Sequence, residues 1–385
     1  MNISTVHNCF GCGVCSIVCS KKIIDIHLDE NGFYGPQISE LEKCTDCGLC
    51  FDVCAFLHKD YALKKDEIKS YAAWSKDEIV RNKCSSGGIG FELARTLLKD
   101  NYKVCGVRYV PEKKRAEHYI ATTEQELIPS IGSKYIQSYT VNGFKAINKE
   151  EKYLVIGTPC QIDSFRRYIQ RYHIENHFIL IDFFCHGVPS KLMWDKYIYQ
   201  IEKEVGNILH VSWRDKRMGW HDSWAMNIDG TKSKKFSRLS EGDMFFRLFL
   251  SDTCLGKACY THCRFKHKHS SADIRIGDFL GKTYRDNDKG VSAVVAFTTK
   301  GDNLLHHCNC ELIPHSFEII AENQMKKPPV IPIIRTTIMQ AIRHPDCSIQ
   351  HIFKILDKEC KKQNYIYLLK NPLTALKRIC KKLQK

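Results

Sequence analysis

The sequence predicts a chain of the α/β class: a small cysteine-bound α+β domain, then a mixed or parallel-sheet α/β body, then a helical tail. Three observations carry this. The run C-x2-C-x2-C-x3-C occurs twice, at Cys9, Cys12, Cys15, Cys19 and at Cys44, Cys47, Cys50, Cys54. Two strand–turn–helix units follow one another farther on, which argues for parallel strands joined by crossover helices. Past Lys326-Lys327-Pro328-Pro329 and Pro332 the remaining residues read as helical. The expected divisions are residues 1–62, 70–150, 151–320 and 321–385.

The doubled cysteine run is the ligand pattern of a bacterial-type ferredoxin with two [4Fe-4S] clusters, so the first division is expected to be ferredoxin-like. In that pattern three cysteines of one run hold a cluster and the fourth crosses over. This pairs Cys9, Cys12 and Cys15 with Cys54, and Cys44, Cys47 and Cys50 with Cys19. Structural zinc prefers two separated ligand pairs around a tetrahedral ion, and disulfides need an oxidising compartment. Ser20 and Ala55 stand where the bacterial pattern has proline after the fourth cysteine. Ile23 to Leu28, a turn at Glu30-Asn31-Gly32, and Phe33 to Ile38 predict a hairpin packed on the clusters.

Composition bounds the rest. In 385 residues, 43% apolar and 11% aromatic content supports packed cores in two or three domains. The start lacks an apolar signal segment and no run is long enough to span a bilayer, so the twenty cysteines read as reduced thiols and cluster ligands of a cytoplasmic protein. The net charge of +15 suits an anionic cofactor, substrate or surface. Charge alone would also suit nucleic acid, but interleaved aromatic platforms are lacking, and that partner is disfavoured.

After a linker from Tyr61 to Ile68, Tyr71 to Trp74 predicts a strand. Ser85, Ser86, Gly87 and Gly88 then open a helix through Ile89, Leu93 and Leu97, a setting of free backbone N–H groups that suits a phosphate. Val104 to Tyr109 reads as a strand and Glu112 to Glu117 as a surface loop. The paired units run from Tyr153 to Ile156 into Gly157-Thr158-Pro159-Cys160, and from Phe178 to Phe184 into Cys185-His186-Gly187-Val188-Pro189. Chemistry in such sheets collects beyond the carboxyl ends of the strands, where Cys160 and Cys185 fall. Val211 to Arg214, Asp273 to Gly277 and Val291 to Thr298 are further strands, and Phe245 to Leu250 a short helix. Cys160, Cys185, Cys259 and Cys263 stand in glycine-, proline- or basic-rich settings, and four thiolates are what a third [4Fe-4S] cluster needs. Cys105, Cys308, Cys310, Cys347, Cys360 and Cys380 are expected to be small buried apolar groups.

Six segments, namely Ser85-Ser86-Gly87-Gly88, Gly157-Thr158-Pro159-Cys160-Gln161, Cys185-His186-Gly187-Val188-Pro189, Arg214-Asp215-Lys216, Cys259-Tyr260-x-x-Cys263 and Asp273-Ile274-x-Ile276-Gly277-Asp278-Phe279, resemble the signatures of the coenzyme F-420 hydrogenase/dehydrogenase beta subunit family. The resemblance spans about residues 1–310 in order. It implies an oxidoreductase with an α/β flavin domain, in which iron–sulfur clusters exchange electrons with FAD rather than FMN. A low-potential donor or redox partner protein would supply the electrons, and a deazaflavin or small anionic substrate would react, in some relatives in a polysaccharide-synthesis setting. The Ser85 to Gly88 loop would then hold the pyrophosphate, with Lys216, Arg217 and Lys266 neutralising an anionic group. His186 would orient the ring or donate a proton, unless it is a hydrogen-bonded turn histidine, and Asp278 would bind a ribose or ring nitrogen. Leu280 replaces the family's usual tryptophan, and Cys84 its usual serine, which leaves Cys84 a reserve ligand. The rival to an enzyme is an electron-transfer subunit that docks to a partner holding the substrate.

The tail carries eight Lys/Arg and no acid from Lys361 to Lys385. Leu373, Leu376, Ile379, Cys380 and Leu383 form one stripe of a helix, flanked by Lys377, Arg378, Lys381 and Lys382, which fits docking on the protein's own body, on a partner or on an anionic membrane. If the tail contacts a membrane, deleting residues 361–385 lowers co-sedimentation with anionic liposomes. Unchanged binding excludes that role.

Overall fold

The computed structural model describes residues 2–64 and 66–371, so the stripe from Leu373 to Leu383 lies outside the described residues. The expected first hairpin forms from β1 (Ile24–Leu28) and β2 (Tyr34–Ile38), antiparallel with Ile26 opposite Pro36. The body is built on a nine-stranded mixed sheet. Its strands are β3 (Lys69–Ser75), β4 (Lys103–Val110), β5 (Arg115–Ala121), β6 (Ser138–Tyr139), β7 (Tyr153–Ile156) and β8 (Phe178–Phe183), then β12 (Ile274–Asp278), β13 (Ser292–Ala296) and β14 (Cys310–Pro314). A separate three-stranded antiparallel sheet holds β9 (Ile208–Ser212), β10 (Ala225–Gly230) and β11 (Lys234–Arg238).

The large sheet runs β14-β3-β13-β12-β8-β7-β4-β5-β6. Its middle, β12-β8-β7-β4, is parallel, and antiparallel pairs flank it. The central segments Tyr-Leu-Val-Ile and Phe-Ile-Leu-Ile are apolar on both faces because helices cover both sides. Two antiparallel steps from β12 through β13 return β3 to the direction of β12. The carboxyl ends of β3, β7, β8 and β12 therefore share one edge, and that edge positions the site.

The cysteine-bound segment is not a separate bead. Val14, Val18 and Val53 share one core with Phe144, Phe165 and Ile169 of the body. The helix Pro159–Arg171 presents the face that makes this possible, and three polar side chains fasten the seam. Ser164 Oγ accepts from Cys12 Sγ–H and from Ala55 N–H, at 3.2 and 2.9 Å. Gln137 accepts from Tyr34 N–H and donates to Phe10 O. Thr140 Oγ1 donates to Cys12 O.

Three expectations need correction. The span Glu112 to Glu117 is not a surface loop: a short 3-10 turn at Pro111–Lys113 leads into β5, which pairs with β4 along its length. Glu117 is buried there because Arg115, Arg108 and Lys113 surround its carboxylate. The strand placed at Val211 to Arg214 begins earlier, at Ile208, and its partners β10 and β11 had no separate expectation. Cys360 is exposed on the helix Ile349–Lys370 and Cys347 is half-buried, whereas Cys105, Cys308 and Cys310 are buried in the cores as expected. Among the described residues no helix is long and apolar enough to cross a membrane.

Under the shared edge lies a fully buried ion pair. Arg275 on β12 donates from Nε and Nη2 to the two carboxylate oxygens of Asp182 on β8, at 2.7 and 2.6 Å. Removing one partner of such a pair strands a charge in a low dielectric. The substitution Asp182→Ala is therefore expected to destabilise the chain by about 3–5 kcal/mol, read as an earlier denaturant midpoint of anaerobically prepared protein. A shift under about 1 kcal/mol would contradict the pair's importance.

Candidate functional site

The amino-terminal cysteines are placed by two matching local structures. Gly13 and Gly48, at φ of 74° and 79°, start the helices Val14–Val18 and Leu49–Asp52. Each lies between the second and third cysteine of its run, where its left-handed conformation turns the chain into the helix that carries the third cysteine. A side chain at Gly13 would also collide with Thr140 Oγ1. Cys9, Cys12, Cys15 and Cys54 line one pocket with Ile3, Ile26 and Phe56. Burial pushes the Cys9 thiol up to about 11 and the Cys54 thiol up to about 12, and the neighbouring sulfurs add to both shifts. Burial likewise raises Cys50, which feels Cys47 and Cys19 next to it. This second set is nearer the surface: Cys47 is exposed, and Cys19 and Cys44 are half-buried.

A second pocket lies at the carboxyl edge of the sheet. Cys160 enters it from the first turn of the helix Pro159–Arg171, just past β7, and Cys185 from the turn after β8. Cys259 comes from the short helix Lys257–Thr261 and Cys263 from just beyond it. These four cysteines lie up to 103 positions apart in sequence and meet only here. Cys9 and Phe10 line this pocket as well as the first, so one turn of chain is the wall between them. Burial raises the Cys160 and Cys185 thiols and pushes Cys259 up to about 12, with mutual repulsion of the sulfurs adding to the shifts of Cys160 and Cys259. At Cys185 the nearby Lys266 charge works in the opposite direction.

Among the described residues no three His, Cys, Asp or Glu side chains gather tightly enough to hold a single metal ion. Cys160, Cys185, Cys259 and Cys263 line one pocket, and four is the ligand number that a [4Fe-4S] cluster takes.

The serine–glycine loop forms a third locality on the same edge. Ser86 Oγ donates to Val291 O and Gly87 N–H donates to Ser292 Oγ, which tie the loop to β13. Gly88, at φ of 88°, begins the helix Ile89–Lys99 with no side-chain cap, so the first-turn N–H groups lack intrahelical partners. Lys216 Nζ reaches the loop and donates to Ser86 O, Arg81 O and Lys289 O. Ser133 N–H donates to Ser85 Oγ, which brings the turn Gly132-Ser133-Lys134 alongside. Burial pushes the Lys216 ammonium down to about 8 and the Lys134 ammonium down to about 7, and both feel Cys84 between them. The arrangement can hold an anion such as a pyrophosphate.

The remaining residues singled out in the sequence are placed as follows. Arg217 is folded onto its own neighbour Asp215 and onto Asn227, and does not reach the loop. Lys266 stands at the four-cysteine pocket instead, donating to Cys185 O and His186 O. His186 pairs with Asp252 at 2.7 Å and lies against Phe249, the setting of a turn histidine with a carboxylate partner. Asp278, at the end of β12, is neutralised by the buried Arg214 at 2.5 Å, which also bonds Tyr135 and Ser223. Cys84 is buried in the core beside the loop and lines neither cysteine pocket. Sequence reasoning missed Lys134, Gln137 and Ser164. Only Lys134 had a legible signal, a Gly-Ser-Lys turn.

Residues 70–145 match the amino-terminal family model of the coenzyme F420 hydrogenase/dehydrogenase beta subunit, and residues 150–313 match the carboxy-terminal model of the same beta subunit. The chain belongs to the coenzyme F420 hydrogenase/dehydrogenase beta subunit family. Residues 8–57 match a 4Fe-4S dicluster domain, so this beta-subunit-like chain is an iron–sulfur protein of an electron-transfer oxidoreductase family. No curated protein matches it. Among solved structures it is similar to a chain of the F420-reducing [NiFe] hydrogenase complex from Methanosarcina barkeri, with 16% identity over 78% of this chain and 94% of that one, and a TM-score of 0.44.

The two ammonium groups at the loop carry their charge below about 7 and lose it as the pH rises through about 7 and then about 8. Anion binding at the loop is therefore expected to be tightest below that window and to weaken across it. Titration calorimetry with inorganic pyrophosphate checks this, and an affinity that stays flat or rises with pH would remove these lysines from the binding site.

Proposed function

We propose that this chain is an iron–sulfur flavoprotein that relays electrons from its two amino-terminal cysteine sets, through the four-cysteine pocket, to FAD at the serine–glycine loop. The observation that carries this is the shared wall. Cys9 and Phe10 border both cysteine pockets, so the two candidate cluster sites are neighbours in one line. Cys9, Cys12, Cys15 and Cys54 are assigned to one cluster, Cys44, Cys47, Cys50 and Cys19 to the second, and Cys160, Cys185, Cys259 and Cys263 to the third. When bound, the clusters supply one-electron transfers and the flavin exchanges them for a hydride.

The chain's own residues do the rest. The first turn of the helix Ile89–Lys99 would hold the anionic part of the cofactor, and Lys216 and Lys134, whose ammonium groups are bonded to backbone carbonyls, would add positive charge beside it without direct bonds. Arg214 and Asp278, locked together at the end of β12, present a rigid polar edge for its ribose or ring. Phe10, Phe33 and Phe265 line the four-cysteine pocket and exclude water from the gap between the cysteine sites. The substrate that fits the basic chain is a small anion or a deazaflavin, and the twenty cysteines suit the reducing interior of a cell.

The exposed Cys47 favours one elaboration. The second cluster set is the one nearest solvent, so a redox partner protein would dock over it. In that case the chain is one subunit of a larger oxidoreductase, as the family description "beta subunit" also suggests.

Iron, sulfide and flavin counts on anaerobically purified protein test the proposal. About twelve irons and one flavin are expected, and Cys160→Ser should lower the iron count to about eight while leaving the first two clusters intact. About eight irons in the unaltered chain, unchanged by Cys160→Ser, would retire the third cluster. Full cluster content without flavin, even after reconstitution, would leave an electron-transfer subunit.

A further inference from the structure

The four-cysteine pocket contains one charge that its surroundings do not balance. Lys266 is buried, lines the pocket, and its ammonium donates to Cys185 O at 2.5 Å and His186 O at 2.9 Å. Met325 Sδ stands 3.9 Å away. No carboxylate lies within ion-pair distance of it among the described residues. Two arginines nearby are paired: Arg275 is clasped by Asp182, and Arg264 pairs with Asp163 at 3.1 Å. A buried ammonium with only carbonyl partners is costly, and such charges persist where an opposite charge is met.

We propose that Lys266 is the counter-charge of the third cluster and sets its reduction potential above those of the two amino-terminal clusters. The inference rests on the assignment of that cluster to Cys160, Cys185, Cys259 and Cys263. Four thiolates around a [4Fe-4S] core in its oxidised state leave a net charge of two negative units. One electron arriving from the neighbouring site bordered by Cys9 makes it three, and that site is oxidised by one electron. No bond forms or breaks. A fixed positive charge in a low-dielectric pocket favours the more negative state, so it draws the electron toward the flavin end of the line. The neighbouring pocket formed by Cys9, Cys12, Cys15 and Cys54 has no lysine in its lining, which is apolar and glycine residues beside the cysteines. Lys266 is thus a positioning residue for charge and does not itself react.

The test is an electron paramagnetic resonance redox titration of the full chain, run on the unaltered protein, Lys266→Gln and Lys266→Arg, with iron counted on each sample. The expected result is a more negative midpoint for one cluster in Lys266→Gln, unchanged midpoints for the other two, and a midpoint near the original in Lys266→Arg. Unchanged midpoints in Lys266→Gln at full iron content would overturn the inference and leave the third cluster standing. Should Lys266→Gln lose the third cluster, its retention in Lys266→Arg supports the need for charge, and its loss in both variants overturns it. About eight irons in the unaltered protein would instead remove the third cluster itself.

Discussion

Thiols buried side by side are the constraint on which this fold turns. A thiolate in a low dielectric is unfavourable alone and more so beside others, and burial raises Cys9, Cys12, Cys15, Cys54, Cys160, Cys185 and Cys259 accordingly. Sites of this kind are stable when something positive occupies them and when the backbone holds the sulfurs apart. The glycines at the helix starts, the strand-end turns and the hydrogen bond from Cys12 to Ser164 supply that holding.

The seam between the cysteine-bound segment and the sheet follows from the same constraint. A segment of this length cannot bury a large core of its own. Its valines therefore complete a core with Phe144 and Phe165, and Ser164, Gln137 and Thr140 satisfy polar groups that the seam would otherwise strand. Fixing the segment in this way also fixes Cys9 and Phe10 between the two pockets. The packing of the seam and the placing of the two cysteine pockets are one arrangement here.

The sheet explains why the candidate site residues gather where they do. Strands β3, β7, β8 and β12 end on one edge, and each end contributes. After β3 comes the region that leads to the serine–glycine loop, after β7 Cys160, after β8 Cys185, and at the end of β12 Asp278. The parallel centre, with its helices on both faces, is rigid and dry, and the turns beyond it are free to carry function.

Local pattern was enough for the doubled cysteine run, for the first hairpin and for the strand–turn–helix units, because cluster-ligand spacing and hydrophobic period are properties of short stretches. It was not enough for β5, where ion pairs bury Glu117 in a charged span, or for Arg217, whose charge is met by Asp215 two residues away. Nor could spacing tell which cation belonged to which locality: Lys266 and Lys216 look alike in sequence, yet one stands by sulfur and the other by the loop. The sequence by itself determined the kinds of ligand and the kinds of strand. Only the tertiary structure decided that one turn of chain walls off one cysteine pocket from the other and which charge stays unpaired, since both depend on contacts between residues far apart in sequence that no local periodicity encodes.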